Sequence, residues 1–345
     1  MTGRSAPSVL EDRARPAGAM GSRRTSAARQ RLLFTAGPAL ALLVLCVVFA
    51  ALTPSFATLG NASAILEQAA IPLVLSMGAT LVVLLGGIDL SIEGVMAASG
   101  LTFVLLAHNS VNHNDFGVLA LIAALAVGAG FGLLNGVLHV QARVPSFMVT
   151  LGTWFIGLGA ATVLFGTVPP QLLDGTFRGW AGSRLLGLPI VVLIALFVVA
   201  AVAVLCRVTV LGRYAYAIGG DEQIARLAGI HVGRYKIAIF TLAGLLSGFG
   251  GVLATIRLGV GDVSVGSGDL FLTLSGVVLG GTLLSGGRGG PLHTVVGVLL
   301  LTVLGNGLLL SGASPYLQQA AQGVVLVAAV IAAAWPARDR LRVIK

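Results

Sequence analysis

Long apolar stretches alternate along this chain with short polar, glycine- or proline-containing connections. A helix that crosses a bilayer needs roughly 17 to 25 mostly apolar residues. By that criterion the predicted spans are 34–53, 64–85, 90–107, 117–139, 146–166, 186–206, 236–256, 270–285, 292–311 and 321–335, about ten in all, with the eighth short. The expected fold is an all-α polytopic membrane protein. Residues 1–33 read as a basic cytoplasmic tail without fixed structure, 34–335 as the transmembrane domain with a cytoplasmic loop at 207–234, and 336–345 as a short cytoplasmic C-terminal tail. The arginine-rich start followed by Phe34 to Leu52 has the pattern of a secretory signal, with Val48-Phe49-Ala50 as a possible cleavage site. The length of the basic stretch and the spans that follow favour an uncleaved first helix.

Composition agrees with this picture: of 345 residues, 57% are apolar and 10% charged, more hydrophobic surface than one water-exposed domain can bury. The 48 glycines fit helices packed closely in lipid. A net charge of +9 raises the question of nucleic acid, and the positions of the basic residues answer it. One set of connections holds Arg4, Arg13, Arg15, Arg23, Arg24, Arg29, Arg31, Arg143, Arg207, Arg213, Arg226, Arg234, Lys236, Arg288, Arg338, Arg340, Arg342 and Lys345; the other holds only Arg178, Arg184 and Arg257. By the positive-inside rule the first set is cytoplasmic, with both termini there, and the N-terminal tail meets anionic lipid rather than nucleic acid. Cys46 and Cys206 lie in or beside apolar runs and read as small buried residues.

An internal echo follows the second and seventh spans. Gly87-Ile88-Asp89-Leu90-Ser91-Ile92 resembles Gly261-Asp262-Val263-Ser264-Val265, and downstream Asn135-Gly136 and Pro145-Ser146-Phe147 pair with Asn306-Gly307 and Ser314-Pro315-Tyr316. On the predicted topology, spans 2–5 and 7–10 would form an inverted repeat, an arrangement that favours a carrier.

Carboxylates within a bilayer are costly unless satisfied, so Glu67, Asp89 and Glu93 call for an explanation. Asp89 and Ser91 follow Gly86-Gly87 and could cap a broken helix, line a polar path, or do both. Glu67 sits near the outer end of its span, where an interfacial position and a functional one are both open. Asn135 and Asn306 could bond between helices or meet substrate hydroxyls. His108, His113 and Asp115 read as a solvated turn, with no metal or cofactor expected. A phosphate-cradling loop needs Lys followed by Ser or Thr, and the lysines here are Lys236 and Lys345, so any ATP hydrolysis belongs to another chain.

The cytoplasmic loop carries a predicted short helix. Gly219-Gly220 turns the chain, Asp221 caps, Glu222 and Arg226 pair at i and i+4, Ile224, Leu227 and Ala228 form an apolar face, and Gly229 ends the helix. Such a helix needs a surface, either the protein's own membrane ends or a partner.

GGIDLSIEG, GLLNGVLHVQARVPSFMVTLGT, GRYAYAIGGDEQIARLAGI, VVLGGTLLSGGRGG and GNGLLL occur in order over about 35–335. Together they resemble the ribose-type permeases of ABC importers, within the branched-chain amino acid and sugar permease superfamily. The resemblance implies a subunit of a bacterial inner-membrane importer for a monosaccharide, not an enzyme, with a second permease chain (homo- or heterodimer), a separate ATPase and an extracytoplasmic sugar-binding protein as partners. It also implies that Asp221, Glu222, Ala225, Arg226, Ala228 and Gly229 contact the ATPase. The chain departs from the family's usual Glu-Leu and Ile-Ala-Ala pattern at Leu270-Phe271 and Leu274-Ser275-Gly276. Permeases for branched-chain amino acids or nucleosides share the architecture, and a proton-coupled carrier using Asp89 or Glu67 is the alternative from another class.

Overall fold

The computed structural model describes residues 36–334, so the predicted tails, with the basic residues assigned to them, lie outside the described residues. The described chain is a bundle of helices: α1 (Ala36–Leu52), α2 (Leu59–Leu84), α3 (Ile92–Leu106), α4 (Val118–Gln141), α5 (Ser146–Phe165), α6 (Gly175–Gly182), α7 (Ile190–Val208), α8 (Val210–Gly220), α9 (Glu222–Leu227), α10 (Val232–Leu258), α11 (Asp269–Leu279), α12 (Pro291–Leu310) and α13 (Pro315–Ala334). A small antiparallel hairpin, β1 (Arg184–Leu185) and β2 (Leu188–Pro189), precedes α7. Among the described residues six helices, α2, α4, α5, α7, α10 and α12, are long and apolar enough to cross a membrane, and α1, α3 and α11 are shorter apolar helices. The protein is an all-α polytopic membrane protein.

Every predicted span coincides with a helix, but several boundaries move, each for a local reason. Helix α2 begins before the predicted 64 because Thr58 caps it, accepting from Asn61 N–H at 3.2 Å. Helix α13 begins at Pro315, a residue pre-organised for the first helical turn; the polar Gln318 and Gln319 hid that start. Helix α11 stops at Leu279 rather than 285, because Gly280 and Gly281 turn the chain.

Helix α2 lies at the centre, with every residue from Ala69 to Leu84 buried. That is why its sequence shows no amphipathic stripe. Helix α10 packs on α2, α3 and α4. Lipid supplies no hydrophobic drive between helices, so close contact of small residues has to hold them together. Along α4 these residues recur at every fourth position: Ala120, Ala124, Gly128, Gly132 and Gly136 are all buried. The approach is tight. A Cβ at Gly128 would lie 2.5 Å from the Gly244 carbonyl oxygen of α10, and one at Gly136 2.8 Å from Ile237 Cα. The rest of α4 turns large apolar side chains such as Leu119, Ile122 and Leu133 outward. Helix α1 docks by laying the Phe49 ring on Gly307 of α12.

The two ends of the bundle differ. At one, the α2–α3 break, α8–α9 and the α11–α12 turn meet. At the other, the loops after α3, α5 and α10 are stitched by backbone bonds from Ser110 N–H to Gln171 O (3.1 Å), Leu173 N–H to His108 O (2.8 Å) and Leu172 N–H to Gly259 O (2.9 Å).

Candidate functional site

The break between α2 and α3 holds a buried polar network. Gly86, at φ +79°, takes the left-handed conformation that turns the chain out of α2. Asp89 is only 2% exposed, and its Oδ1 accepts the Ser91 N–H at 2.9 Å and the Ser91 hydroxyl at 2.6 Å. Asn135 of α4 donates Nδ2–H to Ser91 Oγ at 3.0 Å, and Thr153 of α5 donates its hydroxyl to Asn135 Oδ1 at 2.7 Å. The broken backbone is satisfied from α5 as well, since Ile88 N–H donates to Ser146 Oγ and Leu90 N–H to Thr150 Oγ1, each at 3.0 Å. Unsatisfied backbone at membrane depth costs several kcal/mol per group, so these hydroxyls permit the break.

Asp89, Ser91 and Asn135 are thus brought together, while Glu67 and Asn306 are not. Glu67 is half-buried on α2 with no hydrogen-bond or ion-pair partner among the described residues. Asn306 is buried in α12 with an Oδ1 that has no partner among the described residues. The sequence reading missed Ser146, Thr150 and Thr153. Their spacing of four and three puts three hydroxyls on one face of an apolar helix, the signal that could have exposed them. It also left the role of Glu93 open: its Oε1 accepts from Gly268 N–H at 2.9 Å and Leu270 N–H at 3.3 Å, capping α11 from α3.

Asp262 repeats the Asp89 turn at the opposite end of the bundle. Its Oδ1 accepts the Ser264 N–H at 2.6 Å and the Ser264 hydroxyl at 2.7 Å.

The short helix α9 forms as its residues dictate. Asp221 Oδ1 accepts from Gln223 N–H at 2.9 Å and Ile224 N–H at 3.0 Å. Gly229, at φ +81°, closes the helix as Ile230 N–H reaches Ala225 O at 3.1 Å and Gly229 N–H reaches Arg226 O at 3.0 Å. Ala225 faces inward at 3% exposure, while Ile224 at 64% and Leu227 at 88% face outward, with Ala228 and Arg226 exposed beside them. Glu222 Oε1 pairs with Arg226 at 2.6 Å, and its Oε2 with Lys236 of α10 at 2.7 Å, an anchor the sequence did not suggest. Burial alone would raise the Glu222 pKa, but the bonds from Lys236 and Arg226 outweigh it and hold the carboxyl below the usual glutamate range. Gly219 and Gly220 do not share the outward face of α9: Gly219 packs against the end of α2, and Gly220 lies beside the α11–α12 turn.

The polytopic bundle thus holds a buried, internally satisfied helix break and, at the same end, a capped short helix with exposed apolar side chains, features compatible with a membrane permease. The chain belongs to the family described as "Branched-chain amino acid transport system / permease component", whose profile matches residues 61–330. As a permease component it is a transport subunit and not an enzyme. It is 37% identical over 296 residues to the ribose import permease protein RbsC of Escherichia coli K12, covering 85% of this chain and 91% of the relative. The RbsC protein of Bacillus subtilis is also 37% identical, over 86% of this chain and 91% of its own. The galactose/methyl galactoside import permease protein MglC of Escherichia coli K12 is 31% identical over 84% and 90%. No solved structure matches the chain.

Proposed function

We propose that this chain is the membrane-spanning subunit of an ABC importer that carries a monosaccharide inward, driven by a separate ATPase and supplied by an extracytoplasmic sugar-binding protein. The observation that carries this reading is its identity, over nine-tenths of their length, to relatives named as ribose import permeases. Relatives named for galactose and allose import point to the same class of cargo, and favour a sugar over the amino acid in the family's description.

The chain crosses the bilayer about ten times, with both termini cytoplasmic. Helices α2–α5 and α10–α13 form an inverted repeat, a reading supported by the matching Asp-x-Ser turns at opposite ends of the bundle. Two permease chains, alike or related, enclose the path. Asp221 to Gly229 is the coupling element, and its outward Ile224 and Leu227 enter a groove on the ATPase. Asp89, Ser91 and Asn135 hold the break rather than bind cargo, because their facing atoms are already paired. Asn306 has an acceptor with no partner among the described residues and is the better candidate to meet a sugar hydroxyl.

The test is reconstitution of the permease with its ATPase and binding protein. ATP-dependent uptake of labelled ribose or galactose supports the reading; uptake of leucine but no sugar would transfer it to the amino acid branch.

A further inference from the structure

We propose that Gly219, Gly86 and Gly286, with Tyr216, are positioning residues that join α8–α9 rigidly to the α2–α3 break, so that a push on α9 moves the Asp89 network. This rests on the proposed role of α9 as the ATPase contact.

Three backbone segments meet here with no side chain between them. A Cβ on Gly219 would overlap the Leu84 carbonyl oxygen at the end of α2 and lie 2.7 Å from the Gly287 nitrogen. One on Gly286 would lie 2.7 Å from the Gly86 nitrogen and 2.9 Å from Gly219 Cα, and one on Gly287 2.8 Å from Gly220 Cα. Hydrogen bonds fix the register: Gly287 N–H donates to Leu84 O at 3.0 Å, and Tyr216 of α8 donates its hydroxyl to Gly289 O at 3.0 Å.

The consequence is mechanical. Side chains in contact can change rotamer and absorb a small displacement, whereas backbones in contact have no such freedom. The inward face of α8 is also seated, with Ala215 and Ile218 buried, so the helix cannot slip past the junction alone. From Gly219 the chain runs forward through Asp221 to the exposed Ile224 and Leu227. From Leu84 it runs through Gly86 to Asp89. A displacement of α9 therefore reaches the network by the contact of Gly219 with Leu84, and reaches α12 through Gly286 and Gly287.

The experiment uses the full permease with its ATPase and binding protein in lipid nanodiscs. Gly219→Ala is compared with Gly220→Ala, whose Cβ would point into open space. Both should bind the ATPase like the unaltered chain, since neither removes an outward α9 side chain. Gly219→Ala should lose stimulation of ATP hydrolysis by the loaded binding protein, within the roughly 5- to 150-fold range of coupling between distant sites. Gly220→Ala should keep it. If Gly219→Ala does not accumulate, Tyr216→Phe decides: it removes one hydroxyl, and should lower stimulation severalfold at unchanged abundance and ATPase affinity. Undiminished stimulation in Gly219→Ala, or in Tyr216→Phe where Gly219→Ala does not fold, overturns the junction. Failure of the unaltered chain to bind an ATPase overturns the coupling role itself, and the junction with it.

Discussion

Ser91 donates twice to the same oxygen of Asp89, through its backbone N–H at 2.9 Å and its hydroxyl at 2.6 Å, inside a site where Asp89 is 2% exposed. Removing the acceptor leaves two buried donors unpaired. Asp89→Ala should therefore destabilise the chain by about 1 to 3 kcal/mol. Detergent-solubilised protein should melt earlier and accumulate less. Uptake per folded molecule should stay near normal, and a transport loss much larger than the loss of protein would place Asp89 on the path instead.

The two asparagines of the echo should behave oppositely. Asn135 bridges Ser91 and Thr153, whereas Asn306 carries an acceptor without a partner among the described residues. Asn135→Ala should lower stability by about 1 to 3 kcal/mol. Asn306→Ala should leave stability close to unaltered and raise the sugar concentration needed for half-maximal uptake. Equal stability losses in both would assign Asn306 to packing.

Much of this was legible in sequence because it is local. Helix α9 formed as its caps specify: Asp221, the Glu222–Arg226 pair and Gly229 act within a few residues of one another. The partners of the break were not legible, since Thr150, Thr153 and Ser146 reach Ile88, Leu90 and Asn135 only once α5 packs beside α3 and α4. Lys236 stands in the sequence only as a basic residue at the cytoplasmic start of a span, and its bond to Glu222 depends on how α9 folds back onto α10. Likewise the early start of α13 was masked by Gln318 and Gln319, polar residues within a helix that the apolar criterion discounts.

The outward face of α9 should govern ATPase affinity. Burying an aliphatic side chain contributes roughly 1.5 to 3 kcal/mol, so Leu227→Asp should weaken binding by about tenfold or more. Gly229→Val should also weaken it, because a β-branched residue resists the φ of +81° that ends the helix. Pull-down of the ATPase on both variants checks this; unaltered capture by Leu227→Asp would remove α9 from the interface.

The Glu222 anchor should be sensitive to acid. Its folded pKa lies below the unfolded value, so its contribution is complete above the ordinary glutamate pKa of about 4.3 and is lost as pH falls through the folded value. Glu222→Gln should bind ATPase more weakly than the unaltered chain near neutrality. The ratio between the two should approach one in the acid range. A ratio independent of pH would mean that Lys236 and Arg226 do not hold α9 through this carboxylate.

Uptake into liposomes decides whether transport is driven by a separate ATPase docked on this chain. The permease alone should show no concentrative sugar uptake under a proton gradient, and ATP-dependent accumulation should appear once the ATPase and sugar-loaded binding protein are added. Accumulation by the permease alone, driven by the proton gradient, would make the protein a secondary carrier and leave the ATPase no role in transport.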